Sequence, residues 1–377
     1  MKLLFYNDRP VFGGHEAMTL HGLEALLENP ACRLHFIASE ENSILLKRLA
    51  ALAADHPQLT FEETDEQPSR FEALRHIFCR GRIADLAATI QRFGPDAVIS
   101  VQGGLELSSL GIQAARQARV KAISYLAMPH TYQTMGARLA GLLDSLTPTL
   151  LTVPDAFITL SDEMAELLRQ RGAKGPVEVL YPGIDTALYS PGDRAGARRH
   201  LSLPEEAPVF ACVGRIDFSQ KQQDRLLRAV ARPNLEDCHL VFGGDGPDSS
   251  ELDEQIEAHQ LRGRVRRLPW IDTVALYRAA DAVVIPSRYE GVPLVMLEAL
   301  ACGTPVLGTD RDGMRDVLPE NYRIDTSSSL ALSRELRKFL DEGTPAPDPA
   351  LCQGIRSRLS LDSFRDRFRE IITHLVG

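Results

Sequence analysis

Short apolar segments alternate with longer amphipathic segments along the whole chain. The short segments predict strands and the long ones predict helices. In the first half the predicted strands are Lys2–Tyr6, Arg33–Ala38, Asp96–Val101, Lys121–Leu126, Asp155–Leu160 and Val177–Leu180, and the predicted helices include Glu16–Glu28, Phe71–Phe93 and Asp162–Arg171. This alternation is typical of parallel strands covered by helices, so we predict a doubly wound α/β domain.

A stretch rich in Pro, Gly and Arg, Pro182–Pro208, interrupts this pattern and is interpreted as a linker. A second α/β series follows it, with predicted strands at Val209–Val213, His239–Phe242, Val265–Leu268, Ala282–Ile285 and Pro305–Gly308. Near the end, apolar residues at three- and four-residue spacing predict an amphipathic helix over Leu361–Val376. The sequence therefore predicts two Rossmann-like domains facing across a cleft, residues 1–182 and 183–360.

Composition agrees with this architecture and excludes some classes of function. At roughly 150 residues per domain the 377 residues give about two and a half, so two domains near 180 residues each are expected. The 51 acidic residues outnumber the 42 basic ones, giving a net charge of −9 that argues against a nucleic-acid-binding protein. The apolar stretches are too short to predict a membrane-spanning helix or a signal peptide. Six cysteines without a Cys-x-x-Cys pair indicate neither a zinc site nor a disulfide framework, so we expect a reducing, cytoplasmic setting.

The segment Ser287–Pro305 carries the most informative chemistry. It follows a predicted buried strand, turns at Gly291 and opens a helix for which Pro293 suits the first position. Such a turn directs backbone N–H groups and a positive helix terminus toward a phosphate. The carboxylates Glu290 and Glu298 are poor phosphate ligands, so hydroxyl groups of a sugar and a ribose are the better ligands for them. An ordinary strand-helix unit with solvated glutamates is the alternative.

A second candidate segment follows the strand Val209–Val213. Gly214 allows the chain to turn, and Arg215 and Lys221 present two cations from one loop to a diphosphate. The alternative is a pair of solvated surface cations.

Three weaker features complete the candidates. Gly13-Gly14 follows the first strand and suits close approach of a phosphate or sugar, but such a pair is more often a simple turn. His130 follows the strand Lys121–Leu126, where a structural role is the alternative. Apolar residues at helical spacing within 132–151 fit a core-facing helix better than a surface for a lipid-linked acceptor. They are Met135, Leu139, Leu142, Leu143 and Leu146.

Together these segments resemble the retaining glycosyltransferases of family 4, which have the GT-B fold. The resemblance covers nearly the whole chain and depends on the order and spacing of its motifs. The motifs are Gly13-Gly14, Pro95-Asp96, Asp155–Ser161, Gly183-Ile184-Asp185 with Tyr189 and Pro191, Val213–Arg215 with Lys221, Gly244–Pro247, and Glu290-x7-Glu298 followed by Ala299–Val306. The resemblance implies that the helix Leu361–Val376 crosses back onto the first domain.

The resemblance also implies roles for individual residues. Arg215 and Lys221 would bind the donor pyrophosphate, Glu298 the ribose, and Glu290 and His130 the transferred sugar. The nucleotide base would lie near Leu268–Ile271, with Trp270 as a wall or as a core residue. The remaining implied donor contacts are Gly13, Gly14, Gly214, Gly244, Ile271, Gly291, Val292, Pro293, Leu294 and Val295.

The sequence departs from the family pattern at three places. Gln222 stands where the family usually has Gly, and Val292-Pro293 replaces Phe-Gly, which removes one backbone N–H. Asp312-Gly313 with Asp316 occupies a segment that is usually Gly-Gly…Glu.

The expected function is retaining transfer of a hexosyl unit from a nucleotide-diphosphate sugar, in polysaccharide or lipopolysaccharide biosynthesis. The acceptor would be a hydroxyl of a glycan, a glycolipid or a small molecule, and a peripheral contact with the inner face of the membrane stays open. We expect neither a metal nor a cofactor, with the nucleotide-sugar as co-substrate. The alternatives are a non-catalytic nucleotide-sugar or glycan-binding module, a disaccharide phosphorylase and a sugar-nucleotide epimerase.

Overall fold

A computed structural model describes residues 1–69, 71–269 and 271–377. The chain divides into two compact units. Unit 1 comprises Met1–Gly183 together with Leu361–Gly377, and unit 2 comprises Ile184–Ser360. The first and last residues of unit 2 lie beside each other. Ile184 donates its N–H to the Leu359 carbonyl at 2.8 Å and forms a parallel bridge with Ser360.

In the described part of unit 1, seven parallel strands form one sheet in the order β3-β2-β1-β4-β5-β6-β7. The strands are β1 Lys2–Asn7, β2 Arg33–Ser39, β3 Leu59–Thr64, β4 Ala97–Gly104, β5 Lys121–Met128, β6 Ala156–Thr159 and β7 Val177–Val179. The strand order reverses between β1 and β4, and every residue of β4 is buried. Ligands of doubly wound sheets bind at the carboxyl ends of the strands beside such a reversal.

The helices of unit 1 cover both faces of this sheet. They are α1 Gly14–Leu27, α2 Ser43–Asp55, α3 Glu72–Phe78, α4 Arg80–Phe93, α5 Ser109–Ala118, α6 Tyr132–Met135, α7 Ala140–Leu146, α8 Pro148–Leu151, α9 Asp162–Gln170 and, after unit 2, α18 Leu361–Val376. The apolar face of α18 is buried, and the Phe368 ring packs so closely on α1 that a Cβ at Gly22 would lie 2.7 Å from it. Only glycine fits at this crossing.

Unit 2 contains a second parallel sheet, whose described strands have the order β10-β9-β8-β11-β12-β13. They are β8 Val209–Val213, β9 His239–Gly243, β10 Val265–Leu268, β11 Ala282–Ile285, β12 Val306–Thr309 and β13 Arg323–Ile324. The helices are α10 Arg194–His200, α11 Gln223–Val230, α12 Ser249–Ala258, α13 Thr273–Ala279, α14 Leu294–Ala301, α15 Asp312–Val317, α16 Ser329–Asp341 and α17 Pro349–Arg358, with short 3-10 turns at Pro233–Leu235 and Glu320–Tyr322. Here the order reverses between β8 and β11.

The segment Pro182–Pro208, interpreted from the sequence as a linker, contains the helix α10. Asp193 caps this helix by accepting the Gly196 N–H at 3.0 Å. Arg198 is buried and donates to Asp281 Oδ2 at 2.8 Å and to the Ala279 carbonyl, so the segment is fixed within unit 2. Composition alone could not reveal this long-range anchor.

Other differences from the predicted elements have local causes. The single helix predicted over Phe71–Phe93 is two helices, because Cys79 leaves helical geometry with φ −106° and ψ 32°. Strands β3 and β13 were not predicted; β3 carries a run of polar side chains, and β13 is only two residues long.

The prediction of a core-facing helix within 132–151 is wrong for its exposed leucines. The left-handed C-cap Gly136, with φ of 74°, ends α6, and Leu139, also left-handed with φ of 61°, immediately precedes α7. No residue of α7 is buried, and the side chains of Leu139 and Leu142 are 68% and 53% exposed. Within the described residues, no helix is both long and apolar enough to cross a bilayer.

Candidate functional site

Lys221 and Glu290 form an ion pair at the carboxyl ends of two neighbouring strands in unit 2. Lys221 follows β8 and Glu290 follows β11, and Nζ lies 2.6 Å from Oε1. Ser287 Oγ donates to the same carboxylate oxygen at 2.7 Å. The Glu290 side chain is only 6% exposed, so these two donors replace the water that a carboxylate ordinarily binds.

The loop that carries Glu290 is fixed by the start of α15. The Glu290 N–H donates to Asp312 Oδ2 at 2.9 Å, and the Gly313 N–H donates to the Gly291 carbonyl at 3.0 Å. A Cβ at Gly313 would lie 2.3 Å from that carbonyl oxygen, so glycine is required there. Asp312, noted from the sequence only as a departure from the family pattern, is thus a positioning residue for Glu290.

Arg215 lies on the same loop as Lys221 and reaches toward solvent. Its guanidinium donates to Asp217 Oδ2 at 2.6 Å and its side chain is 44% exposed. Gln223 Nε2 donates to the Arg215 carbonyl at 2.8 Å and holds the loop backbone. An exposed pair of this kind is held weakly, so Arg215 can exchange Asp217 for a phosphate oxygen at little cost.

Two of the predicted glycines bring the loops after β8 and β9 into backbone contact. Gly214 and Gly244 have φ of 137° and 140°, and a Cβ at Gly244 would lie 2.1 Å from the Gly214 carbonyl oxygen. The backbone conformation disfavours a side chain at both positions, and the close contact excludes one at Gly244.

Glu298 lies on α14 and is held by tyrosine hydroxyls. Tyr277 Oη donates to Oε2 at 2.7 Å, and Tyr189 also bonds to the carboxylate. Burial raises the pKa of Glu298, while the two tyrosine hydroxyls oppose that rise. Burial also raises the pKa of Tyr189 to about 12. The structure thus adds Tyr277, which sequence reasoning missed because it lies on another helix.

The start of α14 differs slightly from the prediction. The helix begins at Leu294, so Pro293 immediately precedes its first residue instead of occupying it. Gly291, Val292 and Pro293 are buried, whereas Leu294 and Val295 are partly exposed in the first helical turn. Pro293 contributes no N–H, so any anion at this end of the helix depends on the amides that follow it.

The segment Leu268–Ile271, predicted to lie near the nucleotide base, is described only in part. Ile271 Cγ2 lies 3.1 Å from where a Cβ at Gly243 would stand, next to the end of β9. Trp270 lies outside the described residues.

The predicted glycine pair is placed at the start of α1 in unit 1. Gly13 precedes the helix and donates its N–H to Glu16 Oε2 at 2.8 Å, and Gly14 is the first helical residue. Arg9 Nη1 lies 3.3 Å from the same buried carboxylate. The Gly13 N–H is therefore engaged by Glu16, and Gly14 is the better candidate for contact with a ligand.

His130 is buried just after β5, in the same unit. Arg171 donates to its carbonyl oxygen at 2.7 Å, which fixes the backbone there. Nearby, Glu106 follows β4; burial raises the pKa of its carboxyl group, and the charges of Arg9 and His130 oppose this rise. Glu106 lines a cavity of about 580 Å³. The other lining residues are mostly apolar: Pro68, Ser69, Tyr132, Met135, Ala137, Arg138 and Leu143.

A buried charge cluster at the ends of β1 and β4 was not predicted. Arg75 donates to Asp8 Oδ2 at 2.9 Å and to Glu72 Oε1 at 3.2 Å. Ser108 and Ser109 donate to these two carboxylates. The members come from three segments far apart in sequence, and no local motif marks them. In the part of the chain that the structure covers, no group of three or more His, Cys, Asp or Glu is arranged to hold a metal ion.

Comparison with known families matches most of the chain in two parts. A model described as "Glycosyl transferases group 1" matches residues 193–350, and one described as "Glycosyltransferase Family 4" matches residues 45–188. Similar sequences include two proteins named D-inositol 3-phosphate glycosyltransferase. The one from Mycolicibacterium gilvum is 41% identical over 170 residues, covering 43% of this chain and 37% of that protein. The one from Actinosynnema mirum is 37% identical over 217 residues, covering 49% and 51%. The chain thus spans about half or less of these relatives.

Two solved structures are similar over nearly their whole length. HepE of Anabaena in complex with UDP-glucose has a TM-score of 0.78 at 18% identity, covering 99% of this chain and 100% of that one. The lipopolysaccharide outer core galactosyltransferase WaaB, in its apo form, has a TM-score of 0.70 at 17% identity, covering 99% of both chains. These likenesses concern the fold, and they confirm the predicted GT-B fold with its two Rossmann-like domains.

Proposed function

We propose that this chain transfers a hexosyl unit from a nucleotide-diphosphate sugar to an acceptor hydroxyl with retention of configuration. It belongs to the family 4 glycosyltransferases, with a C-terminal part that matches the group 1 glycosyl transferases. The observation that carries the proposal is the Lys221–Glu290 pair at the strand ends beside the reversal of the unit 2 sheet. A cation for a diphosphate and a carboxylate for sugar hydroxyls meet there within hydrogen-bonding distance.

The charges of unit 2 suit the departure of a nucleoside diphosphate. Arg215 and Lys221 would neutralise the negative charge that grows on the leaving phosphate oxygens. Glu290 would accept hydrogen bonds from hydroxyls of the transferred sugar. Glu298 would accept a hydrogen bond from a ribose hydroxyl, while Tyr277 donates to its Oε2. None of these roles needs a metal ion, so we propose catalysis without one.

Retention follows from attack on the same face that the leaving group departs from. The acceptor oxygen forms a bond to the anomeric carbon while the bond from that carbon to the phosphate oxygen breaks. The acceptor proton passes to the departing diphosphate, which becomes the base for the reaction. The chain's contribution is to hold the diphosphate and to stabilise its charge, for which Lys221 beside Glu290 and Arg215 on the same loop supply the cations.

The acceptor end of the reaction is assigned to unit 1. His130 is proposed, by resemblance, to contact the transferred sugar, with Gly14 nearby in the same unit. The cavity of about 580 Å³ beside Glu106 has mainly apolar walls, and Leu139 and Leu142 are exposed close in sequence to its lining residues. This lining favours an acceptor with an apolar portion, such as a glycolipid, over a fully polar sugar.

The test measures sugar transfer from UDP-, GDP- and ADP-hexoses to alkyl glycosides and to free sugars. Arg215→Ala and Lys221→Ala are each expected to lower kcat by about 100-fold or more, as loss of one charge-stabilising donor does. The matched control is Arg228→Ala, an exposed arginine on α11 paired with Asp224. Circular dichroism verifies folding of all three variants.

Three outcomes would contradict the proposal. Full activity in both cation variants would remove their assigned role. NMR of the product showing an inverted anomeric centre would exclude retention, and loss of activity with EDTA that divalent ions restore would exclude the metal-free mechanism. Nucleotide binding without turnover across the acceptor panel would instead indicate a binding module.

A further inference from the structure

A pocket of about 340 Å³ opens at the carboxyl ends of β11, β12 and β13 in unit 2. Three arginines from different elements converge on it. Arg225 comes from the first turn of α11, Arg288 follows β11 and Arg311 follows β12. The Arg215, Lys221 and Glu290 side chains do not line it, but Ser287, which donates to Glu290, does, so the pocket adjoins the proposed donor site without including its cations.

The three guanidinium groups lack carboxylate partners among the residues that the structure describes. Arg225 donates to the carbonyl oxygen of Thr326, and Arg311 donates to that of Arg288 at 2.5 Å. Arg288 forms no side-chain hydrogen bond within the same residues. Burial lowers the pKa of Arg225, and the nearby positive charges of Arg288 and Arg311 lower it further. The arginines therefore repel one another without an anion between them.

Carboxylates at the pocket do not cancel this charge. Asp310 is shared by two other arginines, Arg315 at 3.1 Å and Arg323 at 3.5 Å. Asp325 is exposed and accepts the Ser327 N–H at 2.8 Å, and it offsets the charge of Arg225 only in part, without an ion pair to it. The pocket thus combines an excess of positive charge with carboxylates and hydroxyls along its wall.

We propose that this pocket binds the phosphoryl group of a small phosphorylated sugar or polyol. Guanidinium groups match phosphate oxygens in geometry and charge and remain charged at all physiological pH values. A volume of about 340 Å³ is in the range of sites that bind small molecules. Asp310 and Asp325 would accept hydrogen bonds from the hydroxyls of the ligand, while the arginines hold its phosphate. The proposal is independent of the proposed transferase activity.

The experiment titrates the full chain with inorganic phosphate and with glycerol 3-phosphate by isothermal calorimetry. Arg288→Gln and the double variant Arg288→Gln/Arg311→Gln are expected to weaken phosphate binding by ~10-fold or more, because each removes a charge-assisted partner. Arg288→Gln is the safer variant, since its guanidinium holds no backbone group in the described structure. The matched control, Arg262→Gln/Arg337→Gln, changes two arginines of unit 2 outside the pocket.

A Lys221→Ala variant distinguishes this pocket from the proposed donor site. Binding that survives Lys221→Ala and is lost in the pocket variants supports the proposal. Binding lost only in Lys221→Ala, unchanged in the pocket variants, or absent in the wild type up to ~10 mM overturns it. Glycerol 3-phosphate binding at least as tightly as phosphate supports the polyol class, and weaker binding overturns that class. Arg288→Lys, which keeps the charge but loses the planar fork, should restore part of the affinity.

Discussion

Lys221 Nζ lies 2.6 Å from Glu290 Oε1, although 69 positions separate the two residues. Their strands, β8 and β11, are neighbours at the reversal of the sheet, so the fold brings two distant loops to one point. The Glu290 carboxylate is almost fully buried and depends on this cation for compensation. The contribution of this pair to the free energy of unfolding can therefore be measured separately from any catalytic role.

We expect Lys221→Met to lower the free energy of unfolding by about 3 kcal/mol, because it leaves a buried carboxylate unpaired. The double variant Lys221→Met/Glu290→Gln should recover at least ~1 kcal/mol of that loss, since the uncompensated charge is gone. Urea denaturation of the single and double variants measures both quantities. Arg228→Met, which breaks an exposed pair with Asp224, should change stability by only ~0.5 kcal/mol. Strictly additive single-variant effects would show that the two residues are not coupled.

Gln222 holds a left-handed backbone, with φ of 55°, at the position where the family usually has glycine. Gln222→Gly and Gln222→Ala both delete the side chain, but only glycine relieves the backbone. The glycine variant should therefore be more stable than the alanine variant by ~1 kcal/mol in thermal or urea unfolding.

The same pair of substitutions at Arg228, inside α11, should have the opposite order. Arg228→Gly should be less stable than Arg228→Ala by ~1 kcal/mol, because the backbone there is helical. Equal stability of the two variants at position 222 would show that the left-handed conformation carries no penalty.

Tyr277→Phe should shift the pH dependence of donor binding toward higher pH. Burial raises the pKa of Glu298, and loss of the Tyr277 hydroxyl bond would raise it further. If the carboxylate form binds ribose, UDP affinity falls on acidification through this pKa, so the variant should lose affinity at a higher pH than the wild type. Calorimetric titration with UDP from pH 5 to 8 measures the shift.

A second tyrosine serves as the control, and the raised pKa of Glu298 also has an effect on stability. Tyr322→Phe removes a hydroxyl bonded to the Pro345 carbonyl and should leave the profile unchanged. Because the folded pKa of Glu298 lies above its unfolded value, its ionisation costs stability as pH rises from the unfolded pKa through the folded one. Identical UDP profiles in Tyr277→Phe and wild type would contradict the role of Tyr277.

Arg75→Met should destabilise the fold by about 3 to 5 kcal/mol, because it leaves Asp8 and Glu72 as adjacent buried carboxylates. Burial raises the pKa of both carboxyl groups, and Arg75 counteracts this. The variant should therefore regain part of the lost stability on acidification, when the carboxyl groups take up protons. Urea unfolding at pH 7 and pH 5 measures the difference. Arg169→Met, which removes an exposed arginine of α9 paired with Glu166, is the control, and equal losses in the two variants would contradict the prediction.

The sequence predicted the strand and helix alternation, the two Rossmann-like domains and the segments that carry Arg215, Lys221, Glu290 and Glu298. It did so because periodicity and glycine-containing turns are local properties of the chain. The same local signals could not show that α10 lies within the predicted linker, since Arg198 is anchored by Asp281 more than 80 positions later.

The residues that hold Glu290 and Glu298 in place could not all be predicted, because local sequence signals do not show contacts between distant positions. Tyr277 and Asp312 are ordinary residues by type and lie outside the segment Ser287–Pro305. Only the folded chain brings them to Glu298 and Glu290, whereas Ser287 lies in the same segment as Glu290. The exposed face of α7 was missed because two left-handed residues, Gly136 and Leu139, separate α6 from α7 while the apolar spacing continues.

The packing of α18 on α1 constrains the order in which the protein can mature on the ribosome. Unit 2 is continuous in sequence, so all of it is synthesised before α18. Unit 1 lacks two contacts until α18 is made: the packing of Phe368 on Gly22, and the hydrogen bond from Lys121 to the Leu375 carbonyl. During synthesis, the groove of α1 remains open to water until α18 has left the exit tunnel. Unit 2, although second along the chain, is thus the first that can finish folding, and nascent unit 1 is the part that depends on protection from aggregation.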